Sequence, residues 1–150
     1  PQALEVDGVR LCPSICFENT IPHLIRHQVR ALRARSTPPD VLVTITNDGW
    51  FWGSSLLDIH LTCGAFRAIE MRLPLLIAAN TGFSAWIDSS GRVRSQGPRR
   101  QEGIVVANVV PAARSSLYLA WGDWFAGLCL LTVGVAWVGQ ALPAVRRLAR

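Results

Sequence analysis

Val41-Leu42-Val43-Thr44-Ile45-Thr46, followed at once by Asn47-Asp48-Gly49, decides the fold class. Five of the six residues are β-branched. The run lies between the breaker Ser36-Thr37-Pro38-Pro39-Asp40 and a turn-forming triplet, so it reads as a buried strand. Upstream, Val9–Ile15 is an apolar strand candidate, and residues 20–35 carry helical spacing through Ile21, Leu24, Ile25 and Leu32. Downstream, Leu56–Arg72 reads as a helix with Leu57, Leu61, Phe66 and Ile69 turned inward, and Pro74 opens a strand at Leu75–Ala79. Ser84–Asp88 and Arg92–Ser95 read as a hairpin around Ser89-Ser90-Gly91, with Gly103–Val109 as a further strand. Strand–helix–strand–helix–strand followed by hairpin strands predicts an α/β layered fold. Pro13 conflicts locally, because proline donates nothing to a ladder. The first strand is therefore expected to bulge before Cys16 or to begin later.

The chain has 150 residues, enough for one domain with a real core. Its composition is uneven: residues 1 to about 120 are an ordinary mixture, whereas Trp124–Leu142 carries no charge and is almost uninterruptedly apolar. A helix of about 20 such residues spans a bilayer core. Tyr118, Trp121 and Trp124 precede it as an interfacial belt, and Arg146, Arg147 and Arg150 follow it. That asymmetry places the C-terminus in the cytoplasm and the bulk of the chain outside. A buried core helix is the competing reading; Gly127, Gly134 and Gly139 weigh against it, since they weaken a helix in water and are ordinary in membranes. The expected organisation is a domain over 1–120, a transmembrane helix over 121–143 and a basic cytoplasmic tail over 144–150. The first residue is Pro1 and no signal peptide precedes it, so the chain reads as processed or as a fragment.

Net charge is +5, but the arginines are scattered and no basic stripe carries interleaved aromatics, so no nucleic-acid partner is expected. All fifteen basic residues are arginine, which leaves no lysine to complete a lysine-dependent site within the chain. Codon composition alone also produces such a bias.

Four cysteines are present. Cys12 and Cys16 lie four apart on one strand, about 13 Å at strand rise and too far to bridge. Cys63 on a helix reads as a small buried hydrophobe, and Cys129 falls inside the expected span. No CxxC spacing occurs, so zinc and thioredoxin-type sites are not expected. Cys16, in Ser14-Ile15-Cys16-Phe17-Glu18, is different: a thiol where a strand turns into a helix is held out on a tight turn, and the next backbone N–H groups can face a developing oxyanion. It needs a base or an electropositive setting to become thiolate. His23 and His27, i and i+4 on a helix, have no evident third metal ligand and read as a solvated face. His60 either approaches the site, giving a Cys16–His60 protease arrangement, or packs. Glu18 orients a base, bonds the turn or caps the following helix.

Ile15-Cys16-Phe17-Glu18, Thr46-Asn47-Asp48-Gly49-Trp50-Phe51, Arg67-Ala68-Ile69-Glu70-Met71-Arg72-Leu73-Pro74 and Ala79-Asn80-Thr81-Gly82-Phe83-Ser84-Ala85 occur in this order. Together they resemble the C-terminal half of the carbon–nitrogen hydrolase (nitrilase) superfamily, and within it the membrane branch of apolipoprotein N-acyltransferases. The matched blocks run from Val9 to about Val109, and the terminal apolar segment resembles that branch's last transmembrane helix.

The resemblance implies the C-terminal half of a nitrilase-like α-β-β-α sandwich followed by one transmembrane helix. It implies an enzyme with a Glu-Lys-Cys triad and no cofactor or metal. The acyl donor would be a phospholipid and the acceptor an apolipoprotein: an acyl chain passes through a cysteine thioester to the α-amine of a diacylglyceryl-cysteine. The setting would be the bacterial inner membrane, with the catalytic domain on the periplasmic side. Cys16 matches the nucleophile, the backbone N–H of Phe17 an oxyanion donor, and Glu18 a supporting glutamate. Trp50 falls in the family's active-site loop, where it lines the acyl or substrate pocket. Phe17 stands where the family often has tyrosine. The family's lysine and general-base glutamate precede its cysteine; here no lysine exists and Glu5 is the sole glutamate upstream. The chain thus reads as the nucleophile half of a larger enzyme, inactive alone. A membrane-anchored amidase and a non-catalytic remnant are the alternatives.

Overall fold

The computed structural model describes residues 2–110 and 115–148, with side chains described to residue 139. Two compact units, Pro1–Ala120 and Trp121–Arg150, divide the chain.

The first unit is built on one sheet of β1 (Leu4–Val6), β2 (Val9–Ile15), β3 (Val41–Thr46), β4 (Leu75–Ala79), β5 (Ala85–Ile87) and β6 (Val93–Gln96), side by side in that order. Asp7 and Gly8 both take positive φ, 48° and 79°, which suits the two-residue hairpin joining β1 to β2. β2, β3 and β4 are parallel, with Leu11 opposite Val41 and Leu42 opposite Leu75. Parallel neighbours require crossovers, supplied by α1 (Pro22–Ala34) and α2 (Leu56–Met71). β5 and β6 add antiparallel strands beyond β4.

Both helices cover the same sheet face. α1 buries Ile25, Val29 and Leu32 at spacings of four and three, after a proline in its first turn where the missing N–H costs nothing. α2 buries Leu57, His60, Gly64, Ala68 and Met71, and stops where Arg72 turns left-handed at φ 55°, two residues before Pro74. From the sheet come Cys12, Leu42, Leu75, Ile77, Ala85 and Ile87. The short helix α3 (Leu117–Trp121) adds Leu119, and the Arg26 guanidinium donates to the carbonyls of Tyr118, Leu119 and Ala120 at 2.8, 3.2 and 3.0 Å.

Alternation places the other half of each strand on the opposite face: Pro13 beside Val43, Ile15 beside Ile45, then Leu76 and Trp86. That face is apolar as well. Ile15 and Ile45 are 57% and 55% exposed. Parallel strands are ordinarily covered on both sides.

In the second unit, α4 (Trp124–Leu148) exposes Phe125, Leu130, Leu131, Val133, Val135 and Trp137, so its described side chains are apolar all round. Trp121, Trp124 and Phe125 meet edge-on at 6.0 and 5.8 Å. Among the described residues no helix is long and apolar enough to cross a membrane. The end of the expected span and the arginines of the expected tail lie outside the described side chains.

Several expectations need correction. Gly103–Val109 forms no strand: Ile104 and Val106 stand 91% and 83% exposed, because no described strand lies alongside. Phe66 and Ile69 lie outward, off the 57–60–64–68–71 face, and Cys63 is half-buried for the same reason. Ile69 instead sits against Gly91, where an added Cβ would come within 2.4 Å of Ile69 Cγ1. Pro13 causes no bulge. Beyond Leu11 the strand has only β3 beside it, and an open edge tolerates a missing donor. Residues 16–20, partly assigned to the first helix, form a separate 3-10 turn.

Candidate active site

Parallel strands end together, so the turns following β2, β3 and β4 share one sheet edge. Ligands of open α/β sheets bind at this carboxyl edge. Three of the four sequence blocks end there: Cys16–Glu18 after β2, Asn47–Phe51 after β3 and Asn80–Ser84 after β4.

Cys16 directly follows β2 at φ +51°. A side chain in this left-handed region costs of order 1–3 kcal/mol, which the surroundings must offset. They do so locally. Glu18 Oε2 accepts the Ile15 N–H at 2.7 Å, Thr20 Oγ1 donates to the Phe17 carbonyl at 2.8 Å, and the Ile21 N–H reaches the Glu18 carbonyl at 3.0 Å. Of the roles open to Glu18, the structure shows bonding of the turn. Asn19 is buried beneath, facing Gly64, where an added Cβ would sit 2.9 Å from Ile77 and 3.4 Å from Asn19 Nδ2. Glycine there lets α2 approach the turn. Cys16 is half-exposed and its sulfur makes no hydrogen bond among the described residues. Cys12, by contrast, is buried, and burial pushes its thiol up to about 11.

After β3, Asn47 Oδ1 accepts the Gly49 N–H at 3.2 Å, as a turn-former should. Asp48 does something else. Only 4% exposed, it accepts from Thr46 Oγ1 at 2.6 Å and lies 2.9 Å from His60 Nδ1. Gly82, after β4, presses on it so closely that an added Cβ would come to 2.0 Å from Asp48 Oδ2. Trp50 and Trp52 in the same loop are 79% and 88% exposed. His60 stands between the two turns, 6.5 Å from the Phe17 ring and 6.2 Å from the Phe51 ring by centroid. It makes no bond to Cys16, so the Cys16–His60 protease arrangement is not formed. His23 and His27 are exposed on α1, and among the described residues no three His, Cys, Asp or Glu side chains converge on a metal position.

The sequence profile of the carbon-nitrogen hydrolase family matches residues 2–117. The chain belongs to the carbon–nitrogen hydrolase family. It is 37% identical over 142 residues to an apolipoprotein N-acyltransferase of Rhodopirellula baltica, covering 92% of this chain and 25% of that protein. A second apolipoprotein N-acyltransferase, from Geobacter metallireducens, is 39% identical over 133 residues, 89% of this chain and 24% of the relative. The chain thus spans about a quarter of the length of the curated relatives it matches. Among solved structures, a carbon–nitrogen hydrolase superfamily protein of Xanthomonas campestris superposes with a TM-score of 0.57 at 23% identity, over 79% of this chain and 45% of that one. A Helicobacter pylori carbon–nitrogen hydrolase gives 0.52 at 13% identity, over 64% and 39%. At such identities the likeness shows a nitrilase-like α/β fold.

For a carbon–nitrogen hydrolase, the arrangement brings Cys16, Phe17 and Glu18 into one turn and sets Trp50 on the neighbouring loop. A cavity of about 230 Å³ lies between Asn80, Gly82, Ser84 and Glu102, and Cys16 does not line it. The Thr46–Asp48–His60 chain escaped the sequence reading, which took Asp48 for a turn-former and left His60 undecided. The available signal was a histidine on the helix directly after the Asn47-Asp48-Gly49 turn.

Proposed function

We propose that this chain is the nucleophile-bearing C-terminal portion of an apolipoprotein N-acyltransferase. The carrying observation is Cys16: a half-exposed thiol on a left-handed turn at the carboxyl edge of a parallel sheet, in a chain whose curated relatives bear that name. Cys16 Sγ attacks the ester carbonyl of a phospholipid acyl chain, the Phe17 N–H stabilises the oxyanion, and the lysophospholipid leaves as an alcohol that takes up a proton. The diacylglyceryl-cysteine α-amine of an apolipoprotein then attacks the thioester, giving an amide and the free thiol. Removing one oxyanion donor typically costs about 3 kcal/mol of barrier. Glu18 acts by fixing the turn, and Trp50 lines the acyl pocket. The general base and lysine come from residues outside this chain, and so does the second sheet that closes the bare face into an α-β-β-α sandwich.

We assign 1–120 to the catalytic domain on the periplasmic side of the bacterial inner membrane, 121–143 to a membrane anchor and 144–150 to a cytoplasmic tail. The all-round apolar surface of α4 supports the anchor, since such a helix has no stable place in water. The test is mass spectrometry of the full-length enzyme with phospholipid and no acceptor. A hydroxylamine-labile acyl adduct on Cys16, absent in Cys16→Ser, is expected. Wild-type protein that stays unmodified while still transferring acyl chains would sink the thioester route, and transfer by residues 1–150 alone would sink the partition of the triad.

A further inference from the structure

The reading above leaves a buried polar pair at the carboxyl edge without a task. His60 and Asp48 are each 4% exposed. A carboxylate only accepts, so with Asp48 Oδ1 at 2.9 Å the Nδ1 of His60 carries the proton and donates, while Thr46 Oγ1 donates to the same oxygen at 2.6 Å. The imidazole is thereby held in one orientation. Its Nε2 is buried and has no hydrogen-bond partner among the described residues. As packing alone this is a poor arrangement: an aliphatic side chain would fill the space without leaving a nitrogen unpaired, a cost of roughly 1–3 kcal/mol.

What the ring touches explains it better. One neighbour is Phe17, tilted by 32°, immediately after the nucleophile; another is Phe51, edge-on at 86°, in the turn that carries Trp50. Both separations lie where ring pairs attract. Among the described residues His60 is the one ring paired with both turns. We infer that His60 is a positioning residue for the Cys16 turn: anchored by Asp48, its ring holds Phe17 and Phe51 so that the nucleophile and the Trp50 loop keep one relative placement. This rests on Cys16 being the acyl-accepting nucleophile. His60 acts through Phe17, whose N–H must stay aimed at the oxyanion.

The test uses the full-length enzyme. His60→Asn keeps an N–H for Asp48 and removes the ring. It should melt within about 4 °C of wild type, a change of roughly 1 kcal/mol or less. Thioester formation at Cys16 should fall roughly ten- to hundredfold, the cost of misplacing a catalytic group by about 1 Å, with KM for phospholipid within about threefold. Phe17→Leu should show a similar fall. The double variant should be no slower than the worse single, because both act through one contact. Wild-type acylation by His60→Asn, or losses that multiply in the double variant, would overturn the inference. If His60→Asn fails to fold, Asp48→Asn, which keeps the volume and weakens the anchor, is held to the same criteria. If wild type forms no thioester, the acyltransferase reading fails on its own. His60 is then judged by iodoacetamide alkylation of Cys16: at least about threefold faster in His60→Asn as the turn loosens supports the role, and an unchanged rate refutes it.

Discussion

The two faces of the sheet differ in what covers them and hardly at all in what they are made of. On one, Cys12, Leu42, Leu75, Ile77, Ala85 and Ile87 are sealed under α1 and α2. On the other, Ile15 and Ile45 are more than half exposed, while Pro13, Val43, Leu76 and Trp86 are half-buried in an equally apolar surface. Apolar residues on both sides of parallel strands specify a central layer. The chain spans about a quarter of the length of the curated relatives it matches, and the proposed second sheet would lie on this face. Cys16 directly follows the strand whose Cys12 is buried in the sealed core.

Truncation on the sealed face should have the largest effect. Leu32, 1% exposed, should cost about 2–5 kcal/mol as Leu32→Ala, read by denaturant unfolding of the chain. A loss below about 1 kcal/mol would mean that α1 is not packed as described. Next come the thiols. With its pKa raised to about 11 by burial, Cys12 should react with iodoacetamide at pH 7.5 at least about a hundredfold more slowly than an ordinary exposed cysteine. Peptide mass mapping against Cys16 measures it, and equal rates would show the core to be open.

Substitution on the half-exposed face should matter less. Ile45→Asp should change the stability of residues 1–150 by less than about 1 kcal/mol, since the side chain is already half in water. Under the proposed second sheet, the same change in the full-length enzyme should cost about 3 kcal/mol or more, because an unpaired charge would be buried there. Equal effects in the two settings would remove the argument for a missing layer. The smallest effect is electrostatic. Burial resists ionisation of Asp40 and Asp88, yet hydrogen bonds from Arg10 to the first, and from the Arg92 and Ser90 N–H groups and Arg94 to the second, hold both carboxyls below their ordinary range. A depressed folded pKa stabilises above the unfolded value, about 3.9, and that contribution disappears as pH falls through the folded one. Acid unfolding should therefore gain a small component below about pH 4 that Asp88→Asn removes.

The parallel strands were legible because their signals are local. Val9–Ile15, Val41–Thr46 and Leu75–Ala79 are apolar runs bounded by breakers, and the structure keeps those bounds. On α2, Arg67 Nη2 donates to Glu70 Oε1 at 2.8 Å, one helical turn apart. The inward face of α2 was misread because apolar residues occur all around it. What selects Leu57, Gly64 and Met71 over Phe66 is the sheet beneath, which no helical period encodes. Gly103–Val109 has a strand's alternation and no described neighbour, and a strand exists only with one. The proposed site residues Cys16 and Glu18 lie in one short block, and the structure keeps them in one turn. The Asp48–His60 bond joins residues twelve apart on a turn and a helix, and only the folded chain brings them together.

The left-handed backbone at Cys16 has an evolutionary corollary. Glycine would occupy φ +51° without the side chain's penalty, so Cys16→Gly should raise the melting temperature while removing the thiol. With Cys16 as the proposed nucleophile, drift toward stability and retention of chemistry pull in opposite directions here. Under the proposed thioester route, a homologue carrying glycine here would have exchanged that reaction for robustness.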